Sequence, residues 1–435
     1  MAQRLAFVEL EARFRHAIPR WTPWIRKGGF AILDQGLFAG ANFITSIFLA
    51  RWLEPGQYGA FATAYSIFLL LGTFHTAILT EPMLVFGAGK YGEWFREYMG
   101  LLLYGHTALT ALVSLMLAGT GLLFLKFESV ELGQAFLGLG IAGPLILLTW
   151  LLRRACYVQS RPQWAAAGGG LYLVLMMIGI YVVYQAGWLS SLAALLVMGA
   201  AGAIVGGWMV WLLRPRWRQV EGGPTPRTVL ANHWTYGKWS TAAAGLSWFP
   251  SNIYYALLPI WVGLEGSAAL KAMQNFIMPV LLAMSAGALI LVPEFVKAID
   301  RGRSVLGQRV RLALTILIVL AGMYWLLLLF GGPIVTWLYN GRYDGYTEEL
   351  ILMGLLPFGA SVVSVLGGAL RALERPDLVF RCYIVSSAVT LTLGLALLAT
   401  QGVAGAVLGL LASSASTGMM MLWFYLRAAD KRFRC

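Results

Sequence analysis

Residues 164–213 read WAAAGGGLYLVLMMIGIYVVYQAGWLSSLAALLVMGAAGAIVGGWMVWLL, fifty positions without one Asp, Glu, Lys or Arg. A helix that crosses a membrane takes roughly 20 mostly apolar residues, so this stretch is too long for one crossing. Gln185-Ala186-Gly187 is the one turn signal inside it, and it reads as two helices, 164–184 and 189–213, in a tight hairpin. Residues 382–426 repeat the pattern, uncharged throughout and broken at Thr400-Gln401-Gly402. Working outward with the same criterion adds spans at 29–52, 58–80, 98–124, 132–152, 236–262, 268–293, 312–333 and 346–370, with the last hairpin dividing into 382–400 and 402–426. The expectation is an all-α polytopic membrane protein of twelve transmembrane helices in two six-helix bundles, both termini cytoplasmic.

Composition points the same way. Of 435 residues 59% are hydrophobic and 12% charged, about half the roughly 25% charged content of soluble domains. The mean hydropathy is +0.73. These values exclude an ordinary cytosolic enzyme, a disordered chain and a small disulfide scaffold, and soluble cores stop growing near about 250–300 residues.

The net charge of +13 would suggest nucleic acid in a soluble protein. Set against the twelve spans, 28 of the 32 Lys and Arg fall on the side of the N-terminus. Basic residues collect in cytoplasmic loops, so the charge records topology and no nucleic-acid partner is expected. Arg51, Lys126, Lys271 and Arg342 fall outside that pattern.

The expected organisation is a cytoplasmic arm (1–28), a first bundle (29–213), a linker (214–235), a second bundle (236–427) and a tail (428–435). The arm carries Glu9 and Glu11 and lacks the apolar core of a secretory signal. Its Leu5, Phe7, Leu10, Phe14 and Ile18 read either as an amphipathic surface helix or as a solvated arm. The two bundles echo each other. Trp52-Leu53-Glu54-Pro55-Gly56 corresponds to Val262-Gly263-Leu264-Glu265-Gly266, and Arg154-Ala155 with Arg161-Pro162 corresponds to Arg371-Ala372 with Arg375-Pro376. Parallel repeats of this kind place a site at the interface of the halves and point to a transporter.

Motifs for enzymatic chemistry are missing: there is no phosphate-binding G-x-x-x-x-G-K-[ST], H-E-x-x-H or G-x-S-x-G. Cys156, Cys382 and Cys435 have neither zinc nor disulfide spacing, and no cofactor is expected. Intramembrane polar groups carry the remaining signal, because lipid makes them costly. Helix 1 has Asp34, Asn42 and Thr45, which read as a polar stripe or as helix-packing groups. The span 236–262 carries Lys238, Thr241, Trp248, Asn252 and Tyr255 on one arc, and the span 268–293 opens with Lys271, Gln274 and Asn275 on one face. Lys238 and Lys271 read equally as cavity cations or as side chains snorkelling to an interface. His75, Glu81 and His106 read as packing or capping groups or as a proton route. Trp248, Tyr254 and Tyr255 read as core aromatics or as faces for a sugar.

The passage from Leu49 to Ala62, LARWLEPGQYGAFA, resembles the A-R-x-L-G-P-x-x-Y-G-x-[FY]-A passage of Wzx-type polysaccharide flippases of the MOP superfamily. Leu338-Tyr339-Asn340-Gly341-Arg342-Tyr343 resembles a second passage of that family. Trp52 and Glu54 depart from its commoner Leu and Gly. The resemblance implies transfer of undecaprenyl-diphosphate-linked oligosaccharide repeat units to the outer leaflet of a bacterial inner membrane, by alternating access coupled to protons or sodium. It implies cations facing the diphosphate, with Arg26, Lys27, Arg51, Lys238 and Lys271 as candidates and Arg153 and Arg154 at the cytoplasmic mouth. Asn42, Asn252, Tyr255, Gln274 and Asn275 complete the expected substrate site, and Asp34, with His75 and Glu81, is the expected coupling group. Membrane lipid and polysaccharide polymerase or synthase components are the expected partners. The rival readings are a MATE-type cation-coupled drug antiporter and a non-transporting membrane partner of a polysaccharide synthase.

Overall fold

The computed structural model describes residues 28–127, 129–218 and 220–434; Arg26, Lys27 and the rest of the arm before Gly28 lie outside them. The described chain is helical with no strand. Its first half holds α1 (Gly28–Trp52), α2 (Pro55–His75), which passes through a π turn at Thr76–Thr80 into α3 (Glu81–Phe86), then α4 (Phe95–Lys126), α5 (Val130–Val158), α6 (Pro162–Gln185) and α7 (Ser191–Leu213). The second holds α8 (Pro226–Trp261), α9 (Leu264–Ile299), α10 (Arg303–Leu328), α11 (Gly332–Tyr339), α12 (Thr347–Met353), α13 (Leu356–Ala372), α14 (Pro376–Val389) and α15 (Leu395–Arg434).

Ten stretches among the described residues are long and apolar enough to cross a membrane. The last, Pro376–Asp430, spans 55 residues, and Gly402 breaks it with φ 57° and ψ −127°. That break lies at the expected turn, and only a residue without Cβ adopts it cheaply. The helix α8 is absent from the ten because Lys238, Ser240, Thr241 and Asn252 dilute its apolar content. It also begins earlier than expected. Thr225 and Thr228 form a reciprocal capping box with Pro226 in the first turn, so helix replaces the last ten residues of the expected linker.

The internal repeat holds at backbone level. Ser160 has φ 54°, Arg161 follows at φ −119° and ψ 57°, and Pro162 opens α6. Glu374 has φ 61°, Arg375 follows at φ −120° and ψ 55°, and Pro376 opens α14. The Arg161 amide donates to Cys156 at 2.8 Å, and the Arg375 amide donates to Leu370 at 2.9 Å. The two corners are one structure made twice.

The helix α5 is the axis of the first half. Small residues let its neighbours approach closely: Gly121 of α4 meets Gly133, and Gly199 and Gly202 of α7 meet Ala142 and Leu145. The Thr149 hydroxyl donates to the Gly202 carbonyl at 2.9 Å and the Ser114 hydroxyl to that of Gly140 at 2.5 Å. Cys156 and Cys382 are buried and unbridged.

Two apolar cores divide the molecule unevenly. The larger runs through the first half into Tyr254–Leu258, Ala268–Ile277, Tyr339–Met353 and Leu398–Val407 of the second. The smaller holds Phe295, Leu306, Val310, Leu366, Leu370, Cys382 and Met421, all toward the basic end of the second half. The halves therefore share one core at the end carrying the α1–α2 and α8–α9 turns. At the basic end the second half has a core of its own.

Candidate functional site

The shared end is closed by polar contacts between the halves. Tyr58 of α2 is fully buried and sits 2.8 Å from the Ser46 hydroxyl of α1. Ser46 donates to the Asn275 carboxamide oxygen of α9 at 2.9 Å. The Asn275 amide in turn donates to the hydroxyls of Tyr58 (3.2 Å) and Tyr339 (3.3 Å), and Tyr339 donates to the Ala272 carbonyl at 3.0 Å. Beside this network Gly59 packs so tightly that a Cβ there would overlap the Leu264 carbonyl. Thr63 and Ser267 both donate to the Tyr255 carbonyl, at 3.0 and 3.1 Å.

The two passages that carry the family resemblance meet in this closure. Arg51 donates to the carbonyls of Trp337 and Leu338 at 3.2 and 3.3 Å, and Arg342 donates to the carbonyl of Leu53. Asn340 (φ 53°) and Gly341 (φ 78°) supply the left-handed turn that points the chain back. Arg51 thus serves the closure, away from the cluster around Lys271.

Inside the closure lies the most distinctive charge. Lys271 is about two turns into α9 from the shared end, roughly 10 Å at 1.5 Å per residue. Its Nζ donates to the Gln274 side-chain oxygen at 3.1 Å and stands 5.8 Å from the centre of the Tyr255 ring. Asn275, one turn further, reaches Ser46 of α1, and Tyr255 belongs to α8. Lys271 therefore lies between α8 and α9, on the face of α9 whose next turn meets α1. Among the described residues it forms no ion pair. The buried hydroxyls of Tyr255 and of Thr45 on α1 have no hydrogen-bond partner there, which leaves donors and acceptors for a visiting group. Asn252 turns back to the Trp248 carbonyl at 3.4 Å, and Trp248 donates to the Ser66 carbonyl of α2 at 2.9 Å.

A second cluster lies toward the basic end, within the first half. Asp34 is fully buried and Arg153 nearly so. The Asp34 carboxylate takes Arg153 Nη2 at 2.8 Å and Nε at 2.9 Å on one oxygen, and the Tyr157 hydroxyl at 2.7 Å on the other. The guanidinium lies 3.9 Å over the Phe38 ring, which itself stacks on Tyr172. Arg153 and Asp34, expected in separate roles, form one unit, while Arg154 is exposed one residue further on. The expected stripe on α1 comes apart: Asn42 donates to its own helix at Phe38, 2.9 Å away.

The remaining titratable candidates pair locally. His75 Nε2 lies 2.9 Å from His106 Nδ1, joining α2 to α4 in a buried pair. Glu81 accepts from the Ser240 hydroxyl of α8. The π turn frees carbonyls beside it, a common role for such turns: His233 Nδ1 donates to Ile78 at 2.8 Å, which leaves Nε2 facing the Tyr98 hydroxyl at 2.6 Å. Lys238 is exposed near the basic end of α8. Ser46 and Tyr157 belong to no motif or stripe in the sequence, and Tyr58 and Tyr339 enter only as members of the two resembling passages; Ser46 lies four residues from Asn42, but no local spacing signals its partner.

No protein-family model matches the chain, and no curated protein matches it in sequence. Solved structures do. An inward-facing multidrug resistance MATE family transporter of the MOP superfamily aligns with TM-score 0.76 at 14% identity, covering 92% of this chain and 98% of that one. This chain has the MATE/MOP transporter fold. The lipid II flippase MurJ in an inward closed conformation aligns with TM-score 0.74 at 11% identity over 93% of this chain and 90% of that one. An outward-facing MATE family transporter of the MOP superfamily gives 0.61 at 14% identity over 94% and 96%.

Proposed function

We propose that the protein is a flippase of a bacterial inner membrane that carries undecaprenyl-diphosphate-linked oligosaccharide to the outer leaflet. In this reading the helices make twelve crossings, both termini and the basic end are cytoplasmic, and the closed end faces outward. The halves then rock about the site between α1, α8 and α9. One observation carries the reading: the cation of Lys271, on the face of α9 that meets the first half, has no carboxylate partner among the described residues, whereas the buried acid of the first half is matched by Arg153. A diphosphate supplies the missing anion. The ring of Tyr255 and the side chains of Gln274 and Asn252 suit the apolar faces and hydroxyls of a sugar.

Arg153 and Arg154 stand where a headgroup arrives from the cytoplasm. A diphosphate there offers Arg153 a second anion, and protonation of Asp34 releases it, which is how a proton gradient would drive the cycle. The antiporter reading needs an acid free to meet an organic cation. Asp34 would be that acid, and its contacts with Arg153 and Tyr157 argue against it.

Deletion of the gene, followed by leaflet-resolved measurement of lipid-linked oligosaccharide, tests the proposal. Accumulation on the cytoplasmic leaflet is expected. No accumulation together with altered sensitivity to cationic drugs would support the antiporter instead.

A further inference from the structure

Charged groups that the proposed site does not use lie away from the interface of the halves, at the basic end of the second half. There α14 and the last turns of α15 enclose a pocket of about 480 Å³ lined by Arg375, Leu378, Arg381, Trp423, Arg427 and Asp430. No residue of α1, α8 or α9 contributes to it. The volume falls within the range of small-ligand sites.

The charges in the pocket are unevenly committed. Arg375 is held by Asp377 through two bonds of 2.9 Å, and Asp430 is paired with Arg303 of α10. The guanidinium of Arg427 lies 3.8 Å over the Trp423 ring and forms no ion pair among the described residues. Arg381 likewise makes no ion pair or hydrogen bond among them. Stacking on Trp423 fixes the plane of Arg427 and leaves its forked donors for an acceptor. Each wall of the pocket thus pairs a cation with an apolar side chain, Arg381 with Leu378 on α14 and Arg427 with the partly exposed Trp423 on α15.

Its depth is also informative. Arg427 is the first charge after the uncharged 382–426 hairpin, and Arg381 is the last charge before it. Both therefore stand where apolar helix gives way to the basic end. An interfacial tryptophan beside basic groups at that level suits a headgroup above and acyl chains below.

We propose that this pocket binds an anionic glycerophospholipid of the inner leaflet, with its phosphate between Arg381 and Arg427 and its glycerol and upper acyl chains against Trp423 and Leu378. The site is separate from the transport route and does not depend on what is transported. Bound there, the lipid ties α14 to α15 and, through the Asp430–Arg303 pair, to α10.

The test uses the full-length protein in nanodiscs of phosphatidylcholine with or without phosphatidylglycerol, then native mass spectrometry after release into detergent. The expected result is retained phosphatidylglycerol on the parent and at least tenfold less on Arg381→Gln/Arg427→Gln. An Arg309→Gln variant, altered on α10 outside the pocket, should match the parent. If the double variant does not fold, Arg381→Gln alone should still lower retention severalfold. Equal retention by parent and variants overturns the proposal. So does a thermal shift given by inorganic phosphate as large as that given by short-chain phosphatidylglycerol, which would mark a free-phosphate site. Loss of transport without a change in lipid retention bears on the proposed function and leaves this site standing.

Discussion

The polar cluster at the closed end and the one around Asp34 are both buried, yet they are built differently. The first joins the halves through neutral groups: Ser46, Tyr58, Asn275 and Tyr339 exchange hydrogen bonds, and the arginines that help, Arg51 and Arg342, bond to backbone carbonyls. The second lies wholly within one half and rests on a full ion pair. A neutral contact trades its bonds for water when it opens and is worth about 0.5–1.5 kcal/mol net per bond. A buried charge left without its partner costs about 3–5 kcal/mol. If the halves part as proposed, the surface that opens is made of the cheaper contacts, and the dearer one holds helices together within a single half.

The comparison breaks most visibly at Arg153. Arg153→Ala should destabilise the protein by about 3–5 kcal/mol, read as a lowered unfolding midpoint in detergent. The double variant Asp34→Asn/Arg153→Ala should recover much of the loss, because no lone charge remains. An unchanged midpoint for the single variant would mean that the pair does not hold the first half together.

The closure comes next. Gly59→Leu places a side chain where the Leu264 carbonyl stands and should hold open the closed end, which faces outward in the proposed orientation. With a Thr45→Cys reporter, at a buried hydroxyl that makes no hydrogen bond among the described residues, a membrane-impermeant thiol reagent added outside should label the Gly59→Leu protein and spare the parent. Equal labelling would show that the two halves do not meet there in the membrane. Asn275→Ala removes three bonds of the closure and should favour the open form by about 1.5–4.5 kcal/mol. That is a change in population of roughly tenfold or more, measurable with the same reporter. The smallest effect should come from Arg51→Gln, under about 1 kcal/mol, since an exposed guanidinium stays hydrated when unpaired. A larger shift from Arg51 than from Asn275 would reverse the ranking of neutral over charged contacts in the closure.

Much of the architecture is legible along the chain because membrane helices answer to one local rule. The uncharged run 382–426 is read as two helices, and Gly402 breaks it at that place. The Arg161-Pro162 and Arg375-Pro376 echoes are read as equivalent corners, and their backbones agree to within a few degrees. The linker is read too long because Pro226 looks like loop, whereas behind a Thr225 cap it is a helix start. Lys271, Gln274 and Asn275 are legible as neighbours because they share one face of one helix, and Lys271 does bond to Gln274. The pairing of Asp34 with Arg153 is not, since 119 positions separate them and each has a sufficient explanation alone, one as a coupling acid and one as a loop cation. Arg51 misleads for the same reason: its partners are carbonyls of residues 337 and 338, and a carbonyl leaves no mark in a sequence.

The proposed function requires the space around Lys271 to take an anionic, diphosphate-linked glycan lipid. Translocation of undecaprenyl-diphosphate-linked oligosaccharide in proteoliposomes, scored by lectin access beside uptake of an organic cation such as ethidium, tests it directly. Glycan-lipid transfer above empty vesicles is expected, at least tenfold slower for Lys271→Gln at equal protein incorporation, with no ethidium transport. Ethidium transport by the parent with no glycan-lipid transfer, unaffected by Lys271→Gln and abolished by Asp34→Asn, would contradict it.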